Sequence, residues 1–409
     1  MKKYWKSIAV IIGIILSIGT FYVNSAISAE HYPVLTVQTV NGDVEEMESL
    51  IIEGAYRNLS SMNYLGTDLK ITAQGSSYNS PSLLDRVTGY YPTVIKELKE
   101  ANRSFMRGKS LAANQYFEDN QFLAYANIDQ KISSLGSSKF NFEISVLNKA
   151  DDEVNSFTLK VPVEDGLDHV FLEDVQLVKD KIYLITQNMT IKNDDFNDEK
   201  RVYEIDRISQ KLTNQEALLK FTQWKESLHT HIQLVEGSPT AATEHIIMVK
   251  TEDTVMEDTE STRVTDSKQE IISYNLASKV TETINIPGLN LEENQLSFVK
   301  GSTIYFTRVE EQELIVTPYQ LGANQVEQDY RIQLRSTIDN EHIESPIISV
   351  EEDKLYVVSR QIDSNFNGDV AVVDIKTGEP LFEGQITLGN SSEEHGDFEI
   401  YMHEISVKQ

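Results

Sequence analysis

The chain has no cysteine. This excludes disulfides, thiol catalysis, thiolate metal centres and lipidation of an N-terminal Cys. Positive charge is also scarce: 36 Lys+Arg face 64 Asp+Glu, a formal net charge of −28. Binding a nucleic-acid backbone needs clustered Lys and Arg, so this charge argues against nucleic acid as a partner. There is no Gly-x-Ser-x-Gly elbow, no His-Glu-x-x-His, no Gly-x-x-x-x-Gly-Lys phosphate loop and no Gly-x-Gly-x-x-Gly turn, so no local motif nominates an enzyme. What is present is an apolar fraction of 40% in 409 residues, enough for two or three ordinary domains or one large β architecture.

The N-terminus carries the one long apolar run. Lys2, Lys3 and Lys6 precede a 17-residue stretch, Ser7 to Val23, with no acidic residue before Glu30. Residues 1–6 read as a cytoplasmic basic start, 7–23 as a transmembrane signal-anchor or a signal peptide, and 24–34 as a linker. The run is near spanning length, and Phe21 and Tyr22 suit an interfacial belt; the small residues Ala26, Ser28 and Ala29 also offer a peptidase site. Leading lysines stay inside, so the C-terminal domain is expected outside the cytoplasm, either on a single-pass anchor in the cell membrane or secreted after cleavage. Without those lysines, 33 basic residues remain against 64 acidic ones.

From about Leu35 the period-2 signal dominates, in runs rich in Val, Ile, Tyr, Phe and Thr separated by polar turns. One piece recurs: Val178-Lys-Asp-Lys-Ile-Tyr-Leu-Ile-Thr186 is matched by Glu351-Glu-Asp-Lys-Leu-Tyr-Val-Val-Ser359, and more loosely by Lys300–Thr307, Glu244–Val249 and Asp119–Tyr125. A second strand follows each of the later four, at Val202–Asp206, Ile272–Leu276, Val316–Leu321 and Val372–Ile375, and copies start about 50 to 65 residues apart. A lone small sheet leaves an apolar face wet, and repetition about an axis buries both faces. The pattern resembles a β-propeller. That resemblance implies an all-β fold of six or seven blades over residues 35–409, near 113–165, 170–220, 229–287, 294–335 and 342–390, with 35–75 as a degenerate first blade and Asp397–Val407 as a closing strand. A β-sandwich pair is the alternative. A helical insertion is expected near 79–107, where Pro92 precedes Val94, Ile95 and Leu98 on one helix face.

Two constellations could hold a metal. Asp363, Asn365, Asn367, Asp369 and Asp374 place oxygens at positions 1, 3, 5, 7 and 12 of a loop with Gly368 at 6, the spacing of a calcium loop. Asn367-Gly368 also suits a tight hairpin turn, and a regular strand from Val370 would carry Asp374 away from the loop. His229 and His231 would share one face of a strand, a zinc or nickel geometry that lacks an identifiable third ligand. The acidic stretches Asn193–Glu199 and Glu252–Glu260 read as hairpin loops. Together these features suggest a membrane-anchored extracytoplasmic binding, sensory or accessory protein, non-enzymatic, with no cofactor beyond calcium and an envelope protein as partner. The alternative is a propeller-type hydrolase or lyase acting on envelope substrates.

Overall fold

The computed structural model describes residues 32–59, 66–79, 92–132, 138–162, 166–192, 195–225, 227–235, 240, 242–258, 261–286, 289–291, 294–335, 345–351, 353–363, 367–389 and 397–407. The expected basic start and apolar segment lie outside them, as does the first part of the expected insertion. No helix among the described residues is long and apolar enough to cross a membrane.

The fold is all-β, and the described strands make six separate antiparallel sheets. Sheet I is a meander of Tyr116–Glu118, Phe122–Ile132, Ser138–Asn148 and Glu153–Lys160. Sheet II follows with Leu167–Val178, Lys181–Lys192, Asp195–Asp206 and Lys211–Thr222. Sheet III contains Trp224–Lys225, Leu228–Val235, His245–Asp258, Ser261–Asn275 and Val280–Ile284. Sheet IV runs from Gln295–Lys300 through Thr303–Glu310 and Glu313–Gln320 to Gln325–Val326, with Tyr330–Gln333 also paired to Glu313–Gln320.

The last two sheets join distant parts of the chain. In sheet V, Leu35–Gly42 pairs with Pro380–Leu388, which continues to Gly368–Asp374, Lys354–Val358 and Ile347–Glu351. In sheet VI, Phe398–Val407 lies between Gln361–Asp363 and Leu50–Asn58, followed by Thr67–Thr72 and Gly75–Asn79. Residues 35–75 are therefore not one blade: their first strand completes sheet V and the rest completes sheet VI.

The chain divides into two compact units. One comprises 1–90, 309–315 and 330–409 and holds sheets V and VI; the other comprises 91–308 and 316–329 and holds sheets I, II and III. In the first, Leu35, Leu50, Ile52, Val372, Phe382, Phe398 and Met402 form one buried cluster. In the second, the two faces of sheet II show why the recurring Ile-Tyr-Leu-Ile run is apolar throughout. Ile182 and Leu184 pack with Phe142 and Ile144 of sheet I, while Tyr183 and Ile185 pack with Ile232, Ile246 and Met248 of sheet III. A strand buried on both faces shows no alternation, and each such side chain contributes about 1.5–3 kcal/mol by leaving water. Ile247 and Ile271, on the other face of sheet III, join Ile304 and Phe306.

The helix Thr93–Ala101 begins after Pro92 and buries Thr93, Ile95 and Leu98; a shorter helix, Arg103–Met106, follows. Ile95, Leu98, Phe105 and Met106 cover Tyr116, Leu123 and Tyr125 of sheet I.

Candidate metal site

Two of the hairpins are longer than the sequence suggests. Strand His245–Asp258 pairs with Ser261–Asn275 out to Asp258↔Ser261, and Lys181–Lys192 pairs with Asp195–Asp206 out to Lys192↔Asp195. The acidic stretches expected as loops are mainly strand. Antiparallel ribbons tolerate such polar residues where a face meets water.

That extension supplies the third ligand. On Leu228–Val235, His229 and His231 alternate with buried Thr230 and Ile232 and so share a face. The register sets His229 opposite Asp253 and His231 opposite Thr251, and directly opposed residues lie on the same face. One ligand atom each from His229, His231 and Asp253 lies within 4.8 Å of the others. The imidazole centroids are 5.7 Å apart. His231 is exposed, while His229 and Asp253 are half-buried.

Supporting contacts hold the group in place. Ser267, opposite Asp253 on the next strand, donates its Oγ–H to Asp253 Oδ1 at 2.7 Å, and such a contact orients a ligating carboxylate. The Thr230 N–H donates to the Gln223 carbonyl at 2.8 Å, and the Val255 N–H to the Ser227 carbonyl at 2.7 Å, fixing the ribbon on both sides. Two imidazoles and a carboxylate match a three-ligand set that leaves coordination positions open for water or substrate. His245 is engaged elsewhere, with Ser273 Oγ at 3.0 Å and Asn275 Nδ2 at 3.2 Å.

The expected calcium loop is not supported. Asn365 lies outside the described residues, and of Asp363 only the backbone is described, paired with Glu399 in sheet VI. Asn367 is exposed at the start of the next strand. Asp369 pairs instead with Gln385 in sheet V and is buried, its N–H bonded to Ser359 Oγ at 2.8 Å. Asp374 ends the regular strand Gly368–Asp374, five residues or roughly 16 Å beyond Asp369. Its Oδ1 accepts from the N–H groups of Lys376 and Thr377 at 3.0 and 2.8 Å, and these bonds hold the carboxyl below the ordinary Asp value. It caps a turn. The expected strands on either side do pair antiparallel, Lys354–Val358 with Gly368–Asp374, but the connection is no tight turn: nine residues, 359–367, lie between them, and Gln361–Asp363 among these enters sheet VI.

A second polar cluster centres on a fully buried lysine, Lys200. An extra residue in Leu167–Val178 at Glu173, where Asp174 faces Ile185 and Leu172 faces Thr186, aims the Glu173 carboxylate at the ammonium of Lys200, which is fully buried. Lys200 also donates to Gln187 Oε1 at 2.7 Å, and Asp198 Oδ2 accepts from Gln187 Nε2 at 2.5 Å and Gln223 Nε2 at 2.7 Å. Burial pushes the Glu173 carboxyl up; Lys200 pulls it back, and the Asp198 charge adds to the rise. Nearby Glu204 goes the other way. Burial alone would raise it, but bonds from Lys181, Lys279 and Thr213 together hold it below the ordinary Glu value. These bonds tie strands of sheet II together.

No protein-family model matches the chain, and no curated protein matches it. Solved structures similar to it include a mutant of the Synechocystis apocarotenoid oxygenase, 9% identical over 88% of this chain and 96% of that one, with a TM-score of 0.40. A chimera of that oxygenase with RPE65 is 10% identical over 86% and 92% of the two chains, with a TM-score of 0.39. TolB from Acinetobacter baumannii is 11% identical over 85% and 65%, with a TM-score of 0.30. The expectation of a non-enzymatic binding or sensory protein is corrected at this point: that reading found no third ligand beside His229 and His231, and Asp253 completes a group that could hold a metal ion. The donors also displace calcium, a hard ion served by oxygen ligands, as the metal to consider.

Proposed function

We propose that the protein is an extracytoplasmic β-propeller enzyme that uses a divalent transition metal held by His229, His231 and Asp253. The observation that carries this reading is the convergence of two imidazoles and a carboxylate on one open face of sheet III. His229, His231 and Asp253 would hold the ion, and three protein ligands would leave coordination positions where it would supply Lewis-acid activation of water and of a substrate oxygen. The reaction class is metal-assisted hydrolysis of an ester, glycosidic or phosphate bond in envelope material.

The six antiparallel sheets supply the blades of this reading, and it is supported by sheets V and VI, each of which joins an N-terminal strand to strands from the end of the chain. Residues 7–23 export the domain, as a retained anchor or a cleaved signal, and an envelope protein is its partner.

The test is metal loading followed by turnover. Purified protein mixed with zinc or cobalt is expected to retain about one equivalent per chain after dialysis. H229A and D253N should each weaken binding by about tenfold or more. The cobalt form should show a visible absorption band that both variants lose. Failure to retain any equivalent overturns the metal site; retention without hydrolysis of chromogenic esters, glycosides or phosphates, at any metal loading, overturns the reaction class.

A further inference from the structure

The segment 92–111 is a basic exception in an acidic chain. Lys96, Lys99, Arg103, Arg107 and Lys109 stand there against Glu97 and Glu100. All five cations line one cavity of about 610 Å³, together with Glu100, Met106, Gly108 and Leu111. Its wall is therefore strongly positive while the molecule as a whole carries −28.

The cavity rests on a packed base. Ile95, Leu98, Phe105 and Met106 anchor its helices to sheet I. The chain beyond is tied down by Tyr116, whose hydroxyl donates to the Ser110 carbonyl at 2.6 Å, and by the Ser110 N–H, which donates to the Tyr125 hydroxyl at 3.2 Å. Lys109 Nζ donates to the Phe105 carbonyl at 2.5 Å and sits 4.0 Å above the Phe105 ring centre. Partial burial holds the Lys109 ammonium below the ordinary lysine value. Arg103 and Arg107 are exposed and make no ion pair among the described residues.

Five cations against the single carboxylate of Glu100 leave this lining with an excess of positive charge, which a multivalent anion would offset most effectively. Guanidinium forks match phosphate oxygens in pairs, and lysines add point charges. Met106 and Leu111 offer apolar contact to the carbon portion of a phosphate ester. We infer that this cavity binds a ligand carrying two or more phosphate groups. The phosphates could come from a soluble polyphosphorylated molecule or from clustered anionic lipid headgroups, and the experiment separates these sources. The inference is independent of the metal site.

Tripolyphosphate titrated calorimetrically into the intact protein, and flotation with vesicles of phosphatidylglycerol in phosphatidylcholine, form the two arms. Binding in the first arm alone assigns a soluble ligand; binding that is stronger to vesicles assigns the headgroup source. R103Q/R107Q should weaken whichever binding is seen by about tenfold or more. K160Q/K211Q removes two exposed lysines of sheets I and II outside the cavity and should leave binding within about twofold. The cations exchanged are exposed, so unchanged melting midpoints should show both variants folded. Absence of binding in both arms, or equal losses in the two double variants, overturns the inference.

Discussion

Lys200 shows how far one side chain can depart from what its sequence position suggests. Within Asn-Asp-Glu-Lys-Arg it reads as a solvated loop cation, yet it is fully buried, held by Glu173 and Gln187. Replacing it leaves half-buried Glu173 and buried Asp198 close to each other without the lysine that offsets their charge. K200M is therefore expected to lose about 3–5 kcal/mol of unfolding free energy in urea, and K200M/E173Q to regain part of it. The sequence could not reveal this, because Glu173 reaches Lys200 only through the extra residue in its strand. Glu204 gives a prediction in pH. Its folded value is depressed, so its contribution is full above the unfolded Glu value of about 4.3 and is lost as pH falls through the folded value. Wild type should exceed E204Q by about 1–3 kcal/mol at pH 7, and the gap should close on acidification in pH-resolved denaturation.

At the scale of elements, composition revealed strands better than their partners. The run Ile182-Tyr-Leu-Ile185 announces a strand buried on both faces, and it is one. The shared face of His229 and His231 followed from alternation alone. Asp253 did not, because its position opposite His229 depends on the register of a connection of nine residues, from Glu236 to Glu244. The one available signal was the alternation continuing through Thr251, Asp253 and Val255, which the surrounding acids obscured. Gly42 is likewise readable only in three dimensions. Its φ is +87° beside the irregular pairing at Thr39/Asn41, and a Cβ there would lie 2.2 Å from the Leu381 carbonyl oxygen. G42A should cost more than about 1 kcal/mol, measured as a shift in the denaturation midpoint at constant slope.

At the scale of the whole molecule, repetition was legible and its ending was not. The period identified recurring sheets, and the alternation of Asp397–Val407 marked it as a strand. How residues 35–79 are divided between two sheets depends on pairings across more than 300 positions. Phe398 is buried where the late strand meets Leu50–Asn58. F398A should destabilise by about 3–5 kcal/mol in chemical denaturation. Removal of residues 397–409 should go further, exposing the edge of Leu50–Asn58 and making the N-terminal strands the first targets in limited proteolysis.

The long-range pairings also set a timetable for biogenesis. Leu35–Gly42 and Leu50–Asn58 leave the ribosome roughly 340 residues ahead of Pro380–Leu388 and Phe398–Val407, an interval of about 20–70 s at ordinary synthesis rates. For that time Leu35–Gly42 has no pairing partner, and Leu50–Asn58 has Thr67–Thr72 on one side while its other edge stays open. A nascent chain built this way depends on a holding factor, or on passage through a translocation pore that postpones folding until synthesis has delivered the late strands.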